Sequence, residues 1–388
     1  MHILVIPSWY PNRAGDIGGS FFRTQALALK NYGHKVGVIT VQLRSPRQWK
    51  SIVRGPFGIV DELDEGIPTK RYLATNWFVR TPYFLDRVWL NYGLKLYESY
   101  VNEFGVPDVI HAHSMLYGGY LAGRLSQLYD IPLVVTEHSS FYARDLMSTR
   151  QLELARNVSA LASATLAVSQ SLAEMLARKL GQARGFWSEA PNIVDDTFLH
   201  YELPKALDSS GSFCFFGLAL LDENKGTNYL IEAFTLAFRG TSNVLLKIGG
   251  DGPYRKTLEL LVDELGISDQ VVFTGMLSRA DVVSEMSSSN VVVISSLYET
   301  FGVVAIEALA LGRPVIATRC GGPESIVQSG DGILVPPGNA EALSEAMLEM
   351  FHNSGDYSAE KIRENCRARY SSTVIAGRLS KLYEGLVV

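Results

Sequence analysis

Short apolar runs alternate along this chain with longer segments whose apolar residues recur at helical spacing. In the first half the runs fall at 3–6, 36–40, 109–111, 133–136 and 166–168. In the second they fall at 213–216, 244–248, 271–274, 291–294, 315–317 and 332–335. Runs with no polar alternation suit strands buried on both faces, as in a parallel sheet. Their alternation with helical segments predicts βαβ units. The second series recurs about every twenty to thirty residues, the spacing of a doubly wound sheet. Between the two series lies the Pro-, Gly- and Ser-containing stretch 199–212, the best linker candidate. The pattern predicts two α/β domains, 1–200 and 207–370. Beyond them, 373–388 places Ile375, Leu379, Leu382 and Leu386 on one side and reads as an amphipathic helix.

Residues 41–104 depart from this rhythm. A loop-like stretch is followed by one rich in Trp, Tyr and Arg. It reads as a loop plus one or two helices that place aromatics in the N-terminal core. The other reading is an acceptor-side surface touching a membrane interface, where Trp, Tyr and Arg are favoured.

Composition narrows the class. A chain of 388 residues is long enough for two domains with separate cores. Hydrophobic content of 47% and charge of 19% are those of a globular protein. A net charge of −5 argues against a nucleic-acid partner. Residues 1–200 hold 20 Lys and Arg against 17 Asp and Glu, which leaves the first half the more basic. That half suits an anionic acceptor or membrane surface better than the second. Cys214, Cys320 and Cys366 are far apart and form neither a disulfide framework nor a metal-ligand spacing. A reducing, cytoplasmic compartment is expected, with peripheral contact at the inner membrane face left open. No apolar run reaches the roughly eighteen residues of a membrane span, and the N-terminus does not read as a signal peptide.

The chemistry concentrates in 290–312. An apolar strand-like run is followed by a short loop and an apolar helix-like segment. Loops of this kind are where α/β sheets bind ligands. Glu299 precedes the helix and Glu307 lies two turns into it. At about 100° per residue, eight positions turn the direction by only about 80°, so both carboxylates can lean over one pocket. Carboxylates accept hydrogen bonds, and sugars are rich in hydroxyl donors. Such a pair is more often two solvated surface residues, and its neighbours have to carry the case. Gly302 sits where the helix begins, and its backbone amides can face an anion such as phosphate.

Other candidates line the same kind of position. Gly18-Gly19 lies between the first strand and a helix, which lets the backbone approach a ligand. It is not the G-x-G-x-x-G of dinucleotide-binding proteins. His111 and His113 are two apart and share a strand face. A two-apart pair hints at metal, but no third ligand is placed, and a satisfied buried histidine is the usual outcome. Glu137-His138 ends the next strand. Lys225 follows strand 213–216 close to a helix start, two sources of positive potential for a diphosphate.

These residues together resemble one family, the retaining glycosyltransferases of GT-B fold in family four (group 1), whose E-x7-E motif matches Glu299 to Glu307. The resemblance implies two Rossmann-like, doubly wound parallel-sheet domains facing across a cleft. The first is the acceptor-side domain, with the C-terminal helix at about 373–388 crossing back onto it. The second, 207–370, binds a nucleotide-diphosphate sugar. It implies that Glu299 contacts the transferred sugar, that the Phe301, Gly302 and Val303 backbone contacts sugar and diphosphate, and that Glu307 holds the ribose. Lys225 would clamp the diphosphate, with Gly18 and Gly19 close to it. His113 would reach a hydroxyl of the donor sugar. Gly250 belongs to a turn beneath the nucleotide, and Met276 would pair with the base through its backbone. His138 and Glu137 are acceptor-side candidates. The segment 191–195 is similar to the family's P-N-G-V-D, with Ile193 in place of Gly, and reads as structural. The loop 321–324 matches a further one beside the donor.

One departure is clear. The family places an Arg five residues before the lysine, and here that position is Leu220. Arg23, Arg319 or Arg144 would have to substitute, or backbone amides would carry the diphosphate. The expected activity is retaining, metal-independent transfer of a sugar from a UDP- or GDP-sugar to a glycan or lipid-linked oligosaccharide, in cell-surface polysaccharide synthesis. The phosphate leaving from the same face would take the acceptor's proton, and no cofactor is expected. The alternatives are a related synthase with a small sugar acceptor and a two-domain nucleotide-sugar-binding protein without catalysis.

Overall fold

Two sheets carry the chain in the computed structural model, which describes residues 1–12, 16, 18–46, 55–77, 82–181, 186–202 and 211–387. The chain divides into one unit of Met1–Ile193 with Ser372–Val388, and a second of Val194–Ser371. The division falls ahead of the stretch 199–212 expected as linker, because the short helix Asp196–Leu199 belongs to the second unit. Residues 203–210 of that stretch lie outside the described residues.

The first unit has strands β1 (His2–Pro7), β2 (Lys35–Arg44), β3 (Gly58–Asp64), β4 (Ile67–Thr75), β5 (Val109–His113), β6 (Leu133–Glu137), β7 (Ala164–Ala167) and β8 (Ser188–Glu189). They lie in the order β3-β4-β2-β1-β5-β6-β7-β8. Only β3 runs antiparallel, against β4. The second unit has β9 (Phe213–Leu218), β10 (Val244–Gly249), β11 (Val271–Gly275), β12 (Val291–Ile294), β13 (Val315–Thr318) and β14 (Gly332–Val335), all parallel, in the order β11-β10-β9-β12-β13-β14. That is the doubly wound order, and it reverses between β9 and β12. In the first unit the order reverses between β1 and β5. The continuous apolar runs explain the strands: β1, β5, β6, β12 and β13 are buried at every residue.

The stretch 41–104 differs from its expectation. Besides the single long helix Pro82–Phe104 it contains the β3–β4 hairpin. The turn Glu65-Gly66 has both residues at positive φ, 50° and 80°, as a two-residue hairpin turn requires. Asp61 stands opposite Lys70 in the register and pairs with it at 2.9 Å, and Glu62, opposite Thr69, reaches diagonally to Arg71 at 2.6 Å. No residue of β3 is fully buried, and its acids Asp61, Glu62 and Asp64 pair with Lys70, Arg71 and Arg23, which hid the strand from a search for apolar runs. Trp89, Tyr97 and Tyr100 are buried, so much of the aromatic content serves the core. Trp77 and Phe57 are exposed. Residues 47–54 and 78–81 lie outside the described residues.

The final helix, Ser372–Glu384, belongs to the first unit and lies against the helix Ser20–Asn31. It buries Ile375, Leu379 and Tyr383, with Leu382 and Leu386 partly covered by the same core. Tyr383 Oη lies 2.6 Å from His111 Nδ1, and Ser380 Oγ lies 2.9 Å from His34 Nε2. The three cysteines are buried and free. Among the described residues no helix is long and apolar enough to cross a membrane.

Candidate active site

In the second unit the chemistry gathers at the sheet's switch point, past the carboxyl ends of β9 and β12. The loop after β9 ends in a single helical turn, Glu223–Lys225. Gly226 follows at φ 58°, and a Cβ there would stand 2.2 Å from the Ser295 carbonyl oxygen. Glycine alone lets this loop press against the one after β12. Three hydrogen bonds tie the two together: Leu297 N to Asn224 O at 2.7 Å, Asn224 Nδ2 to Tyr298 O at 3.0 Å, and Ser295 Oγ to Lys225 O at 3.0 Å. The result brings Lys225 to Glu299. Lys225 Nζ donates to Glu299 Oε1 at 2.6 Å, and Ser296 Oγ donates to the same oxygen at 2.8 Å. Both side chains keep about a fifth of their surface open, 23% and 19%. Glu299 Oε2 has no hydrogen-bond partner among the described residues.

The backbone of Glu299 bridges to the loop after β13, donating to Cys320 O at 3.0 Å and accepting from Gly322 N at 2.9 Å. The Phe301 ring is buried and meets the Tyr370 ring at 6.0 Å, so only its backbone is placed to meet a ligand. Gly302, at φ 98°, opens the helix Val303–Ala310. The first amides of that helix, Val303's among them, have no partner within it and give its start a positive potential.

Glu307, in the second turn, is buried. Burial pushes its carboxyl group up from the ordinary range, and the Arg279 guanidinium works against that. Arg279 Nη1 donates to Glu307 Oε1 at 2.7 Å, and Nη2 donates to Asp195 Oδ2 at 3.2 Å. The guanidinium also stands 4.3 Å from the centre of the Phe198 ring. Asp195 is pushed up by burial, but Thr197 and Arg279 pull it down further, and its carboxyl ends below the usual value. Arg279 begins the helix Arg279–Ser288, three residues after Met276, which is well exposed beyond β11.

Gly250, after β10, lies at φ 112°, and a Cβ would sit 1.8 Å from the Ala219 carbonyl oxygen. Its loop runs along 219–221, with Ala219 N donating to Gly249 O and Leu221 N to Asp251 O. Leu220 points outward from this edge, 58% exposed. Of the arginines expected to replace the one missing there, Arg23 is buried and committed to Asp64 at 2.7 Å within the first unit. Arg144 is exposed in the loop after β6. Arg319 is exposed just past β13 and holds no ion pair among the described residues.

In the first unit the switch point lies between β1 and β5. Gly18 is exposed and Gly19 caps the helix Ser20–Asn31, with Trp9 beside it. Residues 13–15 and 17 of this loop lie outside the described residues. His111 and His113 share one strand face, with ring centroids 4.5 Å apart, yet their roles differ. His111 is satisfied on both nitrogens, by Tyr383 Oη and by Thr136 Oγ1 at 2.8 Å. His113 Nδ1 meets His138 Nε2 at 3.0 Å, under the Phe22 ring. Such a contact needs one donor and one acceptor, so the accepting ring is neutral, and burial disfavours charge on the donating ring as well. Burial pushes His111 and His138 down to about 3 and His113 well below its usual value. His138 Nδ1 is buried with no partner among the described residues.

Glu137, expected on the acceptor side, is buried at the end of β6. Its buried carboxylate accepts from the amides of Met115, His138 and Ser139, each at 2.8 Å. It fixes the loops that carry His113 and His138 in place.

Sequence reasoning did not single out Arg279 or Ser296, and read the segment holding Asp195 as structural. Ser296 lies inside the motif segment, and its nearness to Glu299 was a readable signal. Arg279 had only its place in the loop after Met276.

Known proteins place this chain in context. The model of Glycosyl transferases group 1 matches residues 204–369, and that of Glycosyltransferase Family 4 matches 19–198. An uncharacterised glycosyltransferase of Methanocaldococcus jannaschii is 26% identical over 99% of this chain and 98% of its own. Among solved structures, sucrose-phosphate synthase from Thermosynechococcus elongatus superposes with a TM-score of 0.77 at 22% identity, over 99% of this chain and 98% of that one. Anabaena HepE, solved with UDP-glucose, gives 0.74 at 20% identity, over 99% of this chain and 100% of that one.

Proposed function

We propose that this chain, which belongs to the group 1, family 4 glycosyltransferases and has their GT-B fold, transfers a sugar with retention from a UDP- or GDP-sugar to a glycan or lipid-linked oligosaccharide. Cell-surface polysaccharide synthesis is the setting, at the cytoplasmic side of the membrane. The observation that carries this reading is the Lys225–Glu299 pair at the switch point, a cation for a diphosphate beside a carboxylate with one oxygen left for sugar hydroxyls. The UDP-glucose complex of Anabaena HepE supports a nucleotide sugar as donor.

In this mechanism the bond between the anomeric carbon and the diphosphate breaks as the acceptor oxygen attaches on the same face. Positive charge grows on the sugar and negative charge on the leaving diphosphate. Lys225 and the amides at Gly302-Val303 and Gly18-Gly19 stabilise the leaving group. Glu299 and His113 hold sugar hydroxyls and so fix the sugar's orientation. Glu307 takes the ribose hydroxyls, and the Met276 backbone meets the base. The leaving phosphate takes the acceptor's proton, which requires no protein base. The fixed positive groups take the part that a divalent cation plays in other transferases, and the sequence has no D-x-D motif. Hence transfer proceeds without metal.

The test is a panel of UDP- and GDP-sugars, with release of nucleoside diphosphate measured with and without chelator, and product anomers assigned by NMR. Turnover with retained configuration is expected. Donors that bind but never turn over, with every acceptor class tried, would leave a non-catalytic nucleotide-sugar-binding protein.

A further inference from the structure

Glu307 is the most deeply buried carboxylate of the second unit's site, with 5% of its side chain exposed, against 48% for Arg279. A buried carboxylate without a cation takes up a proton, and one that is free to rotate presents no fixed acceptor. Arg279 works against both, favouring the charged form against burial and gripping one of the two oxygens. Arg279 grips Oε1, while Oε2 has no hydrogen-bond partner among the described residues. Arg279 is itself held from two sides, by Asp195 Oδ2 and by the face of Phe198. Asp195 in turn is fixed through its other oxygen, which accepts from Thr197 N at 2.9 Å and Thr197 Oγ1 at 2.8 Å. Three helix starts thus converge: those of Asp196–Leu199, Arg279–Ser288 and Val303–Ala310.

We propose that Arg279 is a positioning residue for the nucleotide's ribose: braced by Asp195 and Phe198, it holds Glu307 by one oxygen so that the other receives the 2′- and 3′-hydroxyls. This rests on the reading of the chain as a nucleotide-sugar enzyme. Arg279 does not touch the ribose in this scheme. It sets the charge and the rotamer of the group that does. The planar guanidinium is suited to the task, because it reaches two carboxylates and a ring face at once, and a lysine cannot.

The experiment is isothermal titration of the full chain with UDP, GDP and ADP and with their 2′- and 3′-deoxy forms. The wild-type protein is expected to prefer a ribonucleotide over its deoxy forms by about tenfold or more. Arg279→Met should bind the ribonucleotide about tenfold more weakly, with the ribo-to-deoxy ratio falling toward one. Asp195→Asn should move in the same direction by less. Thermal melting checks that each variant is folded. If Arg279→Met does not fold, Arg279→Lys is read instead and should lower the ratio. A wild-type ratio in the variants, or a wild-type protein that binds ribo and deoxy forms alike, overturns the role. A wild-type protein that binds none of the nucleotides overturns the nucleotide-sugar reading itself, a separate and recognisable result.

Discussion

Lys225 and Glu299, 74 residues apart in the chain, meet at 2.6 Å because β9 and β12 are neighbours in the sheet. The pair is partly open to solvent, so its own contribution to stability is small, about 1 kcal/mol or less. On the proposed reading, this cation and carboxylate exchange their mutual contact for a diphosphate and a sugar.

Replacing Lys225 with Ala should weaken UDP or GDP binding by tenfold or more, about 1.4 kcal/mol, as loss of a charge-assisted contact predicts. Glu307→Ala should do the same. Calorimetry reads both, and unchanged affinity in the two variants would remove the site assignment.

His113→Ala should separate chemistry from binding. Turnover is expected to fall on the order of a hundredfold from lost orientation, with nucleotide affinity kept within about twofold. Steady-state kinetics beside titration distinguishes this from a general loss of structure, which would move both.

Acid should destabilise the protein through its buried histidines. His111 and His138 titrate at about 3 in the fold, against 6.5 for the unfolded chain. As pH falls below 6.5 the unfolded chain binds protons first, so stability drops by about 1.4 kcal/mol per pH unit for each such histidine. His113 acts in the same direction. Glu137 and Glu307, whose carboxyls are raised by burial, act oppositely at more acid pH, where the fold binds the extra proton. Urea unfolding between pH 7.5 and 5.5 should show falling stability, and a flat profile would contradict the neutral, buried histidines.

Two of the candidate glycines, one in each unit, should respond differently to Ala. At Gly250 the positive φ and the Ala219 carbonyl leave no room, and the cost should be at least about 2 kcal/mol. At Gly18 nothing lies within 4 Å of a Cβ, and the melting temperature should hardly change. Equal effects would mean the loops are placed otherwise.

Much of the fold could be read from apolar runs alone, because strands buried on both faces must be apolar throughout. All eleven runs noted in the sequence coincide with strands. The β3–β4 hairpin escaped notice since its outer strand has no fully buried residue and mixes acids with apolar residues. Its signal was a turn, Glu65-Gly66, and an acid placed opposite a base, Asp61 against Lys70. Among the candidates, Glu299, Glu307, Lys225 and His113 were singled out by motif order, and their partners were not.

The sequence by itself determined which residues bring charge, hydroxyl-accepting oxygen or backbone freedom, and in which loop each lies, because strand periodicity and glycine placement are local properties. The tertiary structure decided which cation meets which carboxylate, that Arg279 holds Glu307, that His111 is spent on Tyr383 and Thr136 while His113 faces His138, and that Glu137 serves its own loops. Those outcomes depend on sheet order and burial. Both are set by contacts between segments far apart in the chain, and no local pattern of residues encodes them.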